Sequence, residues 1–221
     1  MLKAIFFDMD GTIGDSLPLC LKAFKKTVEP ILKRKITDDE IFAAFGATEE
    51  GTLKVLVPGY EKEAKKTYLT YYESMHDLCP APFPGIIGIL QWLKSKNILL
   101  AVITGKGQET CAIDLRYYQI EHLIDCVETG SPLGLRKTEA ILGILENHHL
   151  NPEETLYIGD TPSDIIHARA AGVRTIAALW GTIIEEDTVK KQNPFKICYT
   201  VKALDEYLKD LTNICNIKNS I

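Results

Sequence analysis

The sequence predicts an α/β protein with a parallel sheet and a separate helical unit set into it. Three observations carry that prediction. Short apolar runs ending on polar or glycine residues recur along the chain, and helical patterns separate the later ones. The stretch between the first and second runs contains no strand-like run.

The first run, Leu2 to Phe7, stops at Asp8, as a buried parallel strand does when it leaves the sheet. Further runs at Ile98 to Ile103, Ile124 to Val127, Thr155 to Ile158 and Arg174 to Leu179 read as strands of the same kind. Ile86 to Lys96 has Ile86, Ile89, Leu90 and Leu93 on one face and reads as a helix. Glu139 to Glu146 and Asp164 to Ala171 are helical as well. Within the insert, Leu17 to Leu32 is amphipathic, with Ser16 as expected N-cap and Pro18 in the first turn. Thr37-Asp38-Asp39-Glu40 has the form of a capping box, and Glu61 to Met75 places Tyr68, Leu69, Tyr72 and Met75 on one side. The proline-rich return, Pro80 to Gly85, reads as a linker. The expected organisation is a three-layer, Rossmann-like core from residues 1–15 and 84–221, and an all-helical cap of four helices from residues 16–83. The first strand should be central, flanked by the second and fourth. Ligands of such sheets bind beyond the carboxyl ends of the strands, where this insert would act as a lid. Ile183 to Ile221 suggests only packing.

Composition narrows the function classes. The chain has 221 residues, enough for one core plus a small accessory unit, with 46% apolar and 25% charged residues. A formal net charge of −5 gives no basic face for nucleic acid. The six cysteines, Cys20, Cys79, Cys111, Cys126, Cys198 and Cys215, form no C-x-x-C pair and read as buried thiols in a reducing compartment. Neither a signal-peptide layout nor a run of membrane-spanning length is present, so the expectation is a cytoplasmic protein that does not bind membranes. The five histidines show no ligand spacing and read as surface or helix residues.

Chemistry concentrates at the strand ends. Asp8 and Asp10 put two carboxylates beside Gly11, a pair that calls for a hard divalent cation or a shared proton. Thr104 and Gly105 close the second strand and can donate to phosphate oxygens. Lys137 opens a helix, Asp160 closes the fourth strand, and Asp164 stands four residues further on. Carboxylates, one hydroxyl and one lysine around a point suit phosphoryl transfer. Rival readings fail on single positions. A calcium loop would need glycine where Ile13 stands, and a phosphate loop at Thr104-Gly105-Lys106 lacks the earlier spaced glycine.

In order and spacing, Asp8-Met9-Asp10-Gly11-Thr12, Thr104, Lys137 and Gly159-Asp160-Thr161-Pro162-Ser163-Asp164 resemble the four motifs of the haloacid-dehalogenase-like hydrolases. The helical insert resembles the cap of the phosphoglycolate-phosphatase and β-phosphoglucomutase branch. The resemblance implies Asp8 as nucleophile, Asp10 as general acid and base, and magnesium held by Asp8, Asp10 and Asp160. It implies Thr104, Gly105 and Lys137 on the phosphate, Asp164 orienting Lys137, and a small phosphorylated metabolite as substrate of a monomer or homodimer. Arg136 competes with Lys137 for the motif cation. Gly46, Thr48 and Glu49, between cap helices, form the candidate specificity loop. Dehalogenases of the family carry an aromatic residue where Asp10 stands, which favours phosphate chemistry. The mutases carry histidine where Cys20 aligns, which favours hydrolysis of a phosphoglycolate-like ester, a sugar phosphate or pyrophosphate. A phosphosugar mutase, and a phosphoacceptor or phosphate-binding signalling protein without turnover, are the alternatives.

Overall fold

The computed structural model describes residues 1–46, 48–131, 136–184 and 186–218. Six strands form one sheet: β1 (Ala4–Phe7), β2 (Leu99–Ile103), β3 (Cys126–Glu128), β4 (Thr155–Gly159), β5 (Arg174–Ala178) and β6 (Lys196–Cys198). Their order is β3-β2-β1-β4-β5-β6, and every pairing is parallel. Strand β1 is central, with Phe7 opposite Val102 of β2 and Ile158 of β4.

Alternation along the central strands sends side chains to two faces. Ile5, Phe7, Leu100, Val102 and Ile158 pack with Leu90 and Leu93 of helix α5 (Ile86–Ser95) and with Leu204 and Leu208 of the C-terminal helix. Ala4, Phe6, Ala101, Ile103 and Tyr157 pack on the other face, against Ile141 and Ile144 of one helix and Ala168 of the next. Such sandwiching explains why these strands read as unbroken apolar runs.

Between β1 and α5 the chain forms α1 (Leu17–Leu32), α2 (Asp38–Ala44), α3 (Glu49–Leu56) and α4 (Glu61–Ser74), then a 3-10 turn at His76–Leu78. Phe24 of α1 packs on Tyr68 of α4 with ring centroids 4.4 Å apart. The expected capping box opens α2: Thr37 Oγ1 accepts from Glu40 N at 3.2 Å, and Glu40 Oε2 accepts from Thr37 N at 3.0 Å. The outgoing and returning crossings are bonded to each other, Phe83 N donating to the Ile13 carbonyl at 2.9 Å.

After β2 come α6 (Gln108–Tyr117), α7 (Lys137–Asn147), α8 (Pro162–Ala170), α9 (Glu186–Lys191) and α10 (Val201–Lys218). Elements such as α6 and β6 have no counterpart in the sequence reading, and one expected cap is not made. Helix α6 lacks a clean apolar stripe because it buries Thr110 and Asp114 among apolar residues. Strand β6 has three residues, too few for periodicity to register. Ser16 does not cap α1 with its side chain, because its hydroxyl is spent on Asp10 Oδ1. Of the cysteines, Cys20, Cys79, Cys111 and Cys198 are buried thiols and Cys126 is half-buried; the Cys215 side chain lies outside the described residues.

Candidate active site

The carboxyl end of β1 delivers Asp8, and the turn after it delivers Asp10. Gly11 makes that turn with φ +76°, and a Cβ there would meet Asp160 Oδ2 at 2.2 Å. Only glycine lets the loop lie so close to the carboxylate at the end of β4. Gly159 plays the same part for Asp164: a Cβ there would stand 2.4 Å from its carboxyl carbon.

Lys137, first residue of α7, is 6% exposed and donates to Asp8 Oδ1 at 2.8 Å and to Asp164 Oδ1 at 2.6 Å. Neighbouring Arg136 is exposed, so Lys137 is the cation that meets the carboxylates. Asp164 is committed on both oxygens. Tyr157 Oη stands 3.0 Å from Oδ1, while the amide and hydroxyl of Thr161 donate to Oδ2 at 2.9 and 2.6 Å. Asp160 accepts from Thr12 Oγ1 at 3.1 Å.

The charges follow from these contacts. Burial pushes the Asp8 carboxyl up to about 7, against the pull of Lys137. Burial and the nearby Asp8 push Asp160 far up as well. Burial would also raise Asp164, but Lys137 and the Thr161 bonds outweigh it and hold that group below the usual carboxylate range. Burial works to strip Lys137 of its proton, and Asp164 with Asp8 more than reverses this.

Oxygens of Asp8, Asp160 and Asp164 lie within 4.8 Å of one another, a grouping able to hold a metal ion. The donor set fits a hard divalent cation. Asp8 and Asp160 are buried carboxylates whose charges are compensated only in part, Asp8 by Lys137 and Asp160 by the Thr12 hydroxyl. Among the described residues, neither Asp8 Oδ2 nor Asp160 Oδ2 receives a hydrogen bond. Asp164, fully engaged, is suited to hold Lys137 rather than an ion.

Thr104 is buried at the end of β2, and its hydroxyl accepts from Lys106 N at 3.2 Å, which leaves its proton for another acceptor. Ser163 Oγ is buried without a hydrogen-bond partner. Both line a cavity of about 460 Å³ between sheet and cap, together with Asp8, Asp10, Gly105 and Asp160. Gly46, Thr48 and Glu49 line its cap side; Ala47 of the same loop lies outside the described residues.

Sequence reasoning missed a second buried lysine. Lys106 Nζ donates to Asp10 Oδ1 at 2.6 Å, to Tyr72 Oη at 2.7 Å and to Asp114 Oδ2 at 2.8 Å. Tyr72 in turn donates to Asp114 Oδ1 at 2.8 Å, and His76 Nε2 lies 2.9 Å from the same oxygen. His76, expected at the surface or in a helix, stands in the 3-10 turn and is buried, because it stacks on Tyr117 at 4.1 Å and reaches Asp114. The available signal was Thr104-Gly105-Lys106 itself, where setting aside the phosphate loop also set aside the lysine.

The model of the family described as haloacid dehalogenase-like hydrolase matches residues 5–178. The chain belongs to the haloacid dehalogenase-like hydrolases. It is 33% identical to a provisionally named pyrophosphatase PpaX of Caldanaerobacter subterraneus subsp. tengcongensis, covering 93% of this chain and 97% of that one. It is 30% identical to a phosphoglycolate phosphatase of Aquifex aeolicus, covering 94% and 99%. A haloacid dehalogenase-like hydrolase structure from Streptococcus pneumoniae superposes with a TM-score of 0.76 at 28% identity, covering 94% and 98%. Among the described residues, no helix of this hydrolase is long and apolar enough to cross a membrane.

Proposed function

We propose that the protein is a magnesium-dependent phosphatase that hydrolyses a small phosphorylated metabolite through a phosphorylated Asp8. The observation that carries this is the meeting of Asp8, Lys137 and Asp160, from three separate element ends, on the floor of one capped cavity, with Asp164 buried behind Lys137. Names of the relatives add phosphoglycolate and pyrophosphate to the sugar phosphates as substrates to assay.

Asp8 attacks phosphorus through an oxygen that Lys137 leaves free, and the bond from phosphorus to the leaving oxygen breaks. Asp10 gives a proton to that oxygen, then takes one from the water that attacks the phosphorylated Asp8. Cleavage of the bond between phosphorus and Asp8 releases phosphate and restores the carboxylate. Lys137 balances charge on Asp8 and on the phosphoryl oxygens, and Asp164 fixes its ammonium. Thr104, Gly105 and Ser163 supply donors to the phosphoryl group. Magnesium would be held by Asp8, Asp160 and the Asp10 carbonyl oxygen, and when bound it neutralises charge on the transferring group. A mutase is disfavoured at Cys20, a buried thiol that accepts from Tyr68 Oη at 3.3 Å where mutases of the family carry histidine.

Asp8→Asn should lower turnover of an aryl phosphate by ~10³-fold or more, and EDTA should silence the wild-type protein until magnesium is restored. Asp10→Asn should retain phosphate affinity while kcat falls by about 10²- to 10⁴-fold. Near-normal turnover by Asp8→Asn, or full activity after thorough chelation, would refute the mechanism.

A further inference from the structure

The cavity has two ends of unlike chemistry. The floor carries the carboxylates, Lys137 and Thr104; the cap wall carries Leu17, Phe24, Phe42 and Phe45. The three phenylalanines form an aromatic group, with Phe45 lying 6.1 Å from Phe24 and 5.2 Å from Phe42 between ring centroids. Phe45 remains 41% exposed. A large aromatic left open at a cavity wall offers its face to whatever enters.

The polar groups of that wall make bonds within the protein, although Thr48, like Thr104, keeps its hydroxyl proton. Thr48 Oγ1 accepts from Gly51 N at 3.3 Å; Thr52 Oγ1 accepts from Gly46 N at 3.2 Å and donates to the Thr48 carbonyl at 3.1 Å. Glu49 crosses to the sheet side, where Oε2 accepts from Gly107 N at 2.8 Å and Oε1 accepts from the Thr110 hydroxyl.

Cations are equally committed. Among the described residues lining the cavity, the cations are Lys106 and Lys137, each held by two carboxylates. Glu49 adds a further carboxylate beside them. Burial raises the Glu49 carboxyl on balance, against the pull of Lys106 and of the Thr110 hydroxyl, with Asp10 adding a smaller upward push. A second anionic group on a substrate would meet the same burial and the same negative neighbours, without a free cation to receive it.

Resting on the phosphatase reading above, we infer that the leaving group of the physiological substrate is an uncharged alcohol with an apolar face, seated against Phe24, Phe42 and Phe45. Aryl, alkyl and sugar-ring alcohols qualify. Leaving groups that carry a carboxylate or a phosphate, as in phosphoglycolate and pyrophosphate, are disfavoured by Glu49 and the committed lysines.

Matched esters on the full chain with magnesium test this. Benzyl phosphate and 4-carboxybenzyl phosphate have alcohols of similar reactivity and differ by one remote charge. The expected kcat/KM favours benzyl phosphate by tenfold or more over its carboxylated partner, and also over phosphoglycolate and pyrophosphate. Glu49→Gln, which keeps an acceptor for Gly107, should shrink the benzyl to carboxybenzyl ratio several-fold. Phe45→Ala, at an exposed position tolerant of substitution, should lower the ratio of benzyl to ethyl phosphate about tenfold. A kcat/KM for phosphoglycolate, pyrophosphate or the carboxybenzyl ester equal to or above that for benzyl phosphate would overturn the inference and leave the phosphatase reading intact. Turnover of none of these esters would overturn both.

Discussion

Two buried lysines line the cavity, each held by two carboxylates, yet they join different parts of the molecule. Lys137 and its partners Asp8 and Asp164 all belong to the sheet and its flanking helices. Lys106 draws Asp10 and Asp114 from the core, but Tyr72 comes from the last cap helix, and His76 follows it onto Asp114. The same ion-pair chemistry thus does two jobs. Around Lys137 it fixes reacting groups within one rigid body. Around Lys106 it ties the position of the cap to the side chain of Asp10. Other contacts reinforce that seam: Lys65 to Glu109 at 2.8 Å, Arg116 to Glu73, and Cys79 Sγ to Tyr118 Oη at 2.8 Å.

Removing each lysine would break the comparison or sharpen it. Lys137→Ala carries the largest expected effect, because it leaves Asp8 and Asp164 buried side by side without their cation. The expected loss is ~3–5 kcal/mol of folding stability together with the activity, read by urea unfolding in parallel with turnover. Amide exchange in residues 37–75 should stay near wild type relative to the global change.

Lys106→Met should cost less, about 1–3 kcal/mol, since Asp114 keeps Tyr72 and His76 as partners. Its signature lies elsewhere. Exchange in residues 37–75 should quicken beyond the global change, and kcat should fall through the loosened Asp10. If the cap exchanged alike in both variants, the distinction between the two lysines would collapse.

The smallest effect concerns a pair outside both networks. Bonds from Arg34 and Thr37 hold Glu40 at about 2, below its ordinary 4.5. A depressed carboxylate stabilises the fold above its unfolded value and loses that contribution as pH falls through the folded one. The small stability advantage of wild type over Glu40→Gln should be present at pH 6 and fade between pH 4.5 and 2. An advantage that grew on acidification would contradict the assignment.

How far the sequence revealed each network follows from the same contrast. Asp8, Lys137, Asp160 and Asp164 sit where apolar runs end or helices begin, so local pattern marks them before any contact is known. Asp114, Tyr72 and His76 sit within or just after helices and look like ordinary polar positions; only the docking of α4 against α6 gives them partners. Central strand β1 was legible because it is buried on both faces, whereas β6 was not, because three residues at a sheet edge carry too little pattern. Gly46 and Thr48 were legible as a connection between cap helices, but Glu49 opens α3, and its reach to Gly107 across 58 positions was not legible.

The bond from Phe83 N to the Ile13 carbonyl has a consequence for how such a chain can be rebuilt. It brings the exit from the first strand and the way back to the sheet side by side, so the whole helical unit hangs from a doorway one hydrogen bond wide. Any other unit whose two ends lie equally close could be spliced through that doorway without shifting the register of β1 against β2 and β4. A library of roofs on this floor is a route to new leaving groups, provided each roof supplies partners for Lys106 and Asp114 as Tyr72 and His76 do.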